Sequence, residues 1–302
     1  MTDLALFVQL TVDGIALGCI VALAAVGLTL TSGILRFSNF AHGDLMTFGA
    51  YVALLANVSW RWPIFGAIAL GMVATLGLTC GLDKLLWERL RRRRATPTTA
   101  TIVSIGVALV LRNAIVLIWG ASPTRFNLPT FAALNFGGIN ITRNRLLTVV
   151  ITAAVVGALY YLLQHTKMGR AMRAVADNPE LARVTGIDVN RVVLWVWAIA
   201  GGATALGGCL YGAITNLRPN MGWSLILPMF AAIIAGGIGS PFGAIAGALL
   251  VGIAQEVSTF CPAGLGEMAR FCLGTNYKIG VGLVAIVLVL LVRPQGLFRG
   301  ML

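Results

Sequence analysis

Eight apolar stretches, most of them about 20 residues long, constrain this chain more than any other feature, because about 20 apolar residues in a helix match the thickness of a bilayer core. They run from Leu6 to Thr31, Leu45 to Val58, Trp62 to Leu82, Thr101 to Trp119, Leu146 to Leu163, Val192 to Ile214, Leu225 to Ala254 and Ile279 to Val292. Inside hydrocarbon every backbone amide must be paired within the chain, which leaves helices or a closed barrel. Ala, Leu, Gly and Val abound without alternating polar positions, so helices are expected. With 58% hydrophobic and 11% charged residues the chain cannot be a water-soluble globule. The expected fold is all-α: a single transmembrane domain over residues 1–302, with about 8–9 spans.

The seventh stretch is broken by Gly236, Gly237, Gly239 and Pro241, and reads either as two short spans or as two half-helices that dip in and return. Basic residues favour the cytoplasmic side. They concentrate in Lys84 to Arg94, in Lys167 to Arg191 and at Arg293 and Arg299. All three groups share one side only if the seventh stretch is broken near Gly239–Pro241. The same reading puts Cys261 and Cys272 outside, where a disulfide would persist. The amino terminus then lies outside if the first three stretches all cross, and inside if Leu45 to Val58 is only a half-helix. No basic n-region with an A-x-A-like site accompanies the first stretch, which is expected to serve as the insertion signal. The net charge of +12 reflects Lys and Arg kept on the cytoplasmic face rather than a nucleic-acid surface.

Between the fifth and sixth stretches lies a polar island, about 167–191, carrying both charge signs. Within it Pro179 to Gly186 predicts a short helix. Asp177 or Asn178 is placed to cap its amino end, Glu180 complements its dipole, and Gly186 ends it in a left-handed conformation. Elsewhere Asn39, His42 and Asp44 would be costly against lipid, at about 2.5 to 3.5 kcal/mol for a central charge on insertion scales. They either line a polar path with Gly43 or cap the helix that begins near Asp44. Small residues at 236, 239, 243 and 247 allow close helix approach, and the break at Gly239, Ser240 and Pro241 could present backbone dipoles to a solute as well, which places Gly237, Gly239 and Ser240 on the candidate substrate path. Arg112 and Asn113 sit inside the fourth stretch as a structural pair or as solute-facing groups. The chain has no G-x-x-x-x-G-K-[ST], nucleophile elbow or HExxH, so it is not expected to be an enzyme or to bind ATP itself.

Glu180, Ala182 and Gly186 resemble the E-A-A-x-x-x-G loop of ABC-importer permeases, with Leu181 in place of the middle Ala. SNFAHGDLMTFGAY from Ser38 to Tyr51, AAIIAGGIGSPFGAIAGALLVG from Ala231 to Gly252 and RPQGLF from Arg293 to Phe298 extend the likeness over nearly the whole chain. Together they resemble the branched-chain amino acid ABC-transporter permeases of the LivH and LivM type, with Asn39 to Gly43 nearer the LivH type. The resemblance implies a permease subunit in a bacterial plasma (inner) membrane, importing branched-chain, hydrophobic or neutral amino acids, with urea or short amides as the alternative cargo. It implies these partners: a second LivM-type permease, two LivG/LivF-type ATPase subunits that bind the ATP, and a periplasmic amino-acid-binding protein. Asp177, Glu180, Leu181, Ala182 and Gly186 would then form the coupling helix. A reading from a different class is an ion-coupled secondary transporter, for which Asp13, Asp44 and Glu256 are the candidate ion-binding acids.

Overall fold

The computed structural model describes residues 3–128, 134–136, 139–261, 274, 277–293 and 296–298. Cys272 lies outside them; Cys261 is disulfide-bonded, and Cys19, Cys80 and Cys209 are free.

Each apolar stretch forms helix. The helices are α1 (Asp3–Leu35), α2 (His42–Leu54), α3 (Ile64–Leu82), α4 (Glu88–Arg92), α5 (Pro97–Trp119), α6 (Arg143–His165), α7 (Lys167–Asp177), α8 (Pro179–Val184), α9 (Val189–Ile214), α10 (Met221–Gly236), α11 (Pro241–Val257) and α12 (Lys278–Val292). Single π-helical turns, Leu55–Ser59 and Asp83–Trp87, extend α2 and join α3 to α4. Among the described residues the other regular structure is a small antiparallel hairpin, β1 (Leu134–Phe136) and β2 (Ile139–Ile141), which the apolar pattern does not announce.

Among the described residues five helices are long and apolar enough to cross a membrane: α1, α3 with its extension to Arg92, α5, α6 and α9. α1 and α9 are buried along most of their length, whereas α5 and α6 leave most of their surface bare. Leu109, Val110, Leu117 and Ile118 of α5 are all exposed, as suits an outer wall in contact with lipid or another apolar surface.

Small residues, not large interlocking ones, set how closely the central helices approach. A Cβ on Gly18 would lie 2.9 Å from Leu249 Cα and one on Gly14 2.7 Å from Ile253 Cα, so α1 and α11 run antiparallel with touching backbones. A Cβ on Gly208 of α9 would sit 2.2 Å from the Met46 carbonyl of α2. Between lipid-solvated helices the hydrophobic effect supplies no net attraction, so van der Waals contact at such close crossings carries the packing.

Thr29, Thr47 and Thr204 are fully buried in this core. Each satisfies its hydroxyl on a neighbouring group, as an apolar interior requires. Thr47 Oγ1 accepts from the Gly222 N–H at 3.0 Å, and Thr29 Oγ1 accepts from the Gly239 N–H at 3.0 Å.

Candidate functional site

Three groups of residues singled out in the sequence occupy defined places around α1. The first is the start of α2. α1 ends at Leu35, and Arg36 turns the chain with φ 55°. Phe37 to Ala41 then climbs back alongside α1, so α2 begins with His42 opposite Ala24, deep within the bundle. His42 Nε2 lies 2.9 Å from the Ala24 carbonyl oxygen and 2.7 Å from Thr204 Oγ1. Asn39 is buried, and its Oδ1 accepts from the Ala41 N–H at 3.1 Å in a short turn that closes the entry to α2. Gly43 meets Gly222 of α10 so closely that a Cβ would lie 2.3 Å from the Gly222 carbonyl oxygen.

Asp44 is fully buried and takes a two-pronged grip from Arg112 of α5, Nε to Oδ1 at 3.1 Å and Nη2 to Oδ2 at 3.0 Å. Arg112 also lies 4.6 Å from the centroid of the Trp223 ring, a cation–π contact. Of the two roles open to Arg112, the structure shows the pairing. Asn113, its neighbour, instead donates to the Leu109 carbonyl within its own helix. A planar guanidinium matched to a carboxylate is the strongest form of such a pair.

The second group, Gly237, Gly239 and Ser240, links α10 to α11. Gly237 and Gly239 have φ of 106° and 84°, values that L side chains rarely adopt. Ser240 Oγ accepts from the Gly243 N–H at 3.1 Å and caps α11, with Pro241 at its first position. The chain's last described segment returns here. Leu297 N–H donates to the Ala235 carbonyl at 2.8 Å and Phe298 N–H to the Gly236 carbonyl at 3.0 Å, so these two residues close the carboxyl end of α10.

α1 joins these two groups. His42 touches it at Ala24 and Gly239 at Thr29, five residues and so about 7.5 Å further along. A cavity of about 430 Å³ opens beside the second group, lined by Ser32, Arg36, Phe37, Ser38, Ala176 and Gly239 among others.

The third group lies on the face where α1 ends. The polar island folds as two helices, because Asn178 in extended conformation followed by Pro179 breaks it. Asn178 Oδ1 accepts from the Glu180 and Leu181 N–H groups at 3.0 and 3.1 Å and caps α8. Asp177 is instead the last residue of α7. α8 closes with Gly186 at φ 86° and with the Ile187 N–H bonded to the Ala182 carbonyl at 3.0 Å, a left-handed helix stop. Met172 and Val175 of α7 and Ala182 of α8 are buried against the bundle. Leu181 and Val184 point out, 61% and 85% exposed, leaving an apolar ridge beside the acidic Glu180.

Arg36 ties this face to the first group. Its Nη2 donates to the Ala176 and Asp177 carbonyls at 3.2 Å, holding the end of α7 to the turn that launches the return to α2. Sequence reasoning passed over Arg36. The signal available was a basic residue just past the apolar run of α1.

The sequence model of the family described as "Branched-chain amino acid transport system / permease component" matches residues 10–292. The chain belongs to that permease family. The permease is 29% identical to the high-affinity branched-chain amino acid transport system permease protein LivH of Salmonella typhimurium, over 96% of this chain and 95% of that one. It is likewise 29% identical to BraD of Pseudomonas aeruginosa, over 98% and 97%. It is 30% identical to the ribose import permease protein RbsC of Escherichia coli, over 76% of this permease and 72% of RbsC. Among solved structures, PsaBC from Streptococcus pneumoniae superposes with a TM-score of 0.51 at 14% identity, covering 96% of this permease and 92% of that chain, which shows a shared fold. With five membrane-length helices among its described residues, the permease is a multi-pass membrane protein and a transport component.

Proposed function

We propose that this permease is the membrane subunit of an ATP-driven importer in a bacterial inner membrane, moving branched-chain, hydrophobic or neutral amino acids from an external binding protein to the cytoplasm. The other parts would be a LivM-type permease, two LivG/LivF-type ATPases that bind the ATP, and a periplasmic amino-acid-binding protein. The observation that carries this reading is the pair α7–α8. It is seated on the bundle by Met172, Val175 and Ala182, held to α1 by Arg36, and still presents Leu181 and Val184 outward. A surface ridge of that kind, fixed from below and bare above, suits docking into a groove of a partner that moves. Movement of α8 would reach the start of α2 through Asp177, Arg36 and Phe37 to Asn39, and reach Gly237, Gly239 and Ser240 through the cavity that Ala176 and Gly239 share.

In this reading α10, α11 and α12 are short crossings. At 16 residues α10 is about 24 Å long, enough for a thinned or tilted region. With α2 counted, nine segments cross, the amino end lies outside, and α8 and Arg293 lie inside. Trp60 and Trp62, exposed beyond α2, then fall at the outer interface where such rings collect. After reduction, an impermeant thiol reagent added outside is expected to label Cys261. Labelling only from the cytoplasmic side would overturn this orientation.

The ion-coupled reading needs acids with charge to spare for a lone cation, and each of the three already has a cation beside it. Asp13, Asp44 and Glu256 are ion-paired to Arg145, Arg112 and Lys278. The direct test is Gly186→Val in the assembled transporter. A β-branched residue cannot hold φ 86° without strain, although the space around the position is open, so α8 loses its stop while the membrane core is untouched. Uptake is expected to fall by about tenfold or more while insertion persists, the effect of misplacing a docking element by roughly 1 Å. Wild-type uptake in this variant, or uphill transport without the ATPases, would sink the proposal.

A further inference from the structure

At the end of the bundle opposite α7–α8, a cavity of about 470 Å³ opens between α1, α6, α9, α10, α11 and α12. That size falls in the range of about 300–1,000 Å³ typical of small-molecule sites. Two ion pairs line it: Asp13 with Arg145 at 2.5 Å, and Glu256 with Lys278 at 2.5 Å. The pairs lie within electrostatic range of each other. All four side chains are between 16% and 30% exposed, so the charges are half-shielded rather than bathed in water. Gln255 also lines the cavity. It is 3% exposed, and its Nε2 faces Gly282 of α12, where an added Cβ would lie 2.8 Å from it, so Gln255 packs the cavity wall rather than reaching into it. Pro228, on the same wall, removes the helical N–H donor for the Ser224 carbonyl, and Ser224 borders the cavity too. Leu17 and Leu225 supply apolar surface.

We infer that this cavity is a binding subsite for a zwitterion, holding the ammonium and carboxylate of an α-amino acid at the outer mouth of the permease. Two cations and two anions in one half-dry cavity suit a ligand that carries both charges and no net charge. Its carboxylate bridges Arg145 and Lys278. Its ammonium bridges Asp13 and Glu256 and reaches the Ser224 carbonyl. An uncharged cargo such as urea has no use for four charges that cost desolvation to place there. The inference rests on the import reading for its biological setting and narrows that reading to amino acids.

The test uses the assembled transporter in proteoliposomes and two neutralised pairs, Asp13→Asn with Arg145→Gln and Glu256→Gln with Lys278→Gln, each able to keep a hydrogen bond between its members. Maximal L-leucine uptake is expected to fall about tenfold or more, the loss of one or two charge-assisted contacts. The binding-protein concentration for half-maximal uptake and the ATP hydrolysis rate stay at wild-type values. Unchanged leucine uptake would reduce the pairs to helix fasteners and overturn the inference. A shift in the half-maximal binding-protein concentration would mark a docking surface and overturn it as well.

A second measurement does not depend on transport. Saturation-transfer NMR on the assembled wild-type transporter in nanodiscs, without the binding protein, is expected to show contact with L-leucine that is lost in the two neutralised variants, weaker contact with 4-methylpentanoate and with isopentylamine, and none with urea. Equal signals for the three leucine-shaped probes would refute a zwitterion site even if the import reading holds. If wild-type uptake itself fails while leucine is still preferred, the import reading fails and the subsite stands.

Discussion

Asp44→Asn is expected to destabilise the permease by about 3–5 kcal/mol, the usual result of removing one member of a buried ion pair. Arg112 would keep its charge inside the bundle with little beyond the Trp223 ring to receive it. Because Arg112 is 20% exposed, the lower end of that range is the better expectation. The double variant Asp44→Leu with Arg112→Leu should recover most of the loss, since replacing both members with apolar side chains removes the orphaned charge along with its partner. Denaturation of the purified protein in detergent separates the cases. A single variant as stable as wild type, or a double variant as damaged as the single one, would show that the pair does not hold α2 to α5. The double variant also asks whether Asp44 touches cargo. Uptake that survives in it assigns Asp44 to the scaffold, and uptake that disappears from a stable protein assigns it to the path.

Gly222→Val should be the most damaging single change, leaving little or no folded protein. Its Cβ would fall 1.8 Å from the Gly43 carbonyl oxygen and 2.5 Å from Thr47 Oγ1. Most of what it meets is helix backbone, which no rotamer change can move aside, so the cost exceeds the roughly 1–3 kcal/mol of ordinary overpacking. Separating α2 from α10 would also break the hydrogen bond from Gly222 N–H to Thr47. Gly157→Ala is the control. Nothing lies within 4 Å of its added carbon, and alanine in a helix interior is worth about 0.5–1 kcal/mol over glycine. Fluorescence size-exclusion profiles should show a normal peak for the control and aggregate for Gly222→Val. A monodisperse Gly222→Val protein would mean that α2 and α10 do not depend on this contact.

Local features of the sequence were readable and distant pairings were not. The apolar stretches mark the membrane helices because burial in hydrocarbon demands them residue by residue. Asn178 and Gly186 mark the ends of α8 because caps and left-handed stops are short-range chemistry. The partner of Asp44 could not be read, since Arg112 lies 68 positions away and an arginine inside an apolar run has several ways to be satisfied. The climb of Phe37 to Ala41 beside α1 was hidden for a related reason. Those five residues look like an ordinary connection, and only packing decides that they turn inward. The two pairs in the cavity far from α7–α8 also escaped, because Asp13 and Glu256 were weighed singly, whereas their meaning lies in what α6 and α12 bring to them. Buried threonines gave no warning, since a hydroxyl in a membrane helix usually bonds its own backbone.

The closing of α10 by Leu297 and Phe298 carries a consequence for biogenesis. A helix end in the interior stays unsealed until residues from beyond α12 have been synthesised and folded back upon it. Closure of α10 therefore waits for α11 and α12, which lie between it and these residues in the chain, so this half of the molecule passes through a state whose last latch is still open. Quality-control proteases that sample newly made proteins would meet that unlatched state first, so lesions in the tail should shorten cellular lifetime before they alter any property of the finished protein.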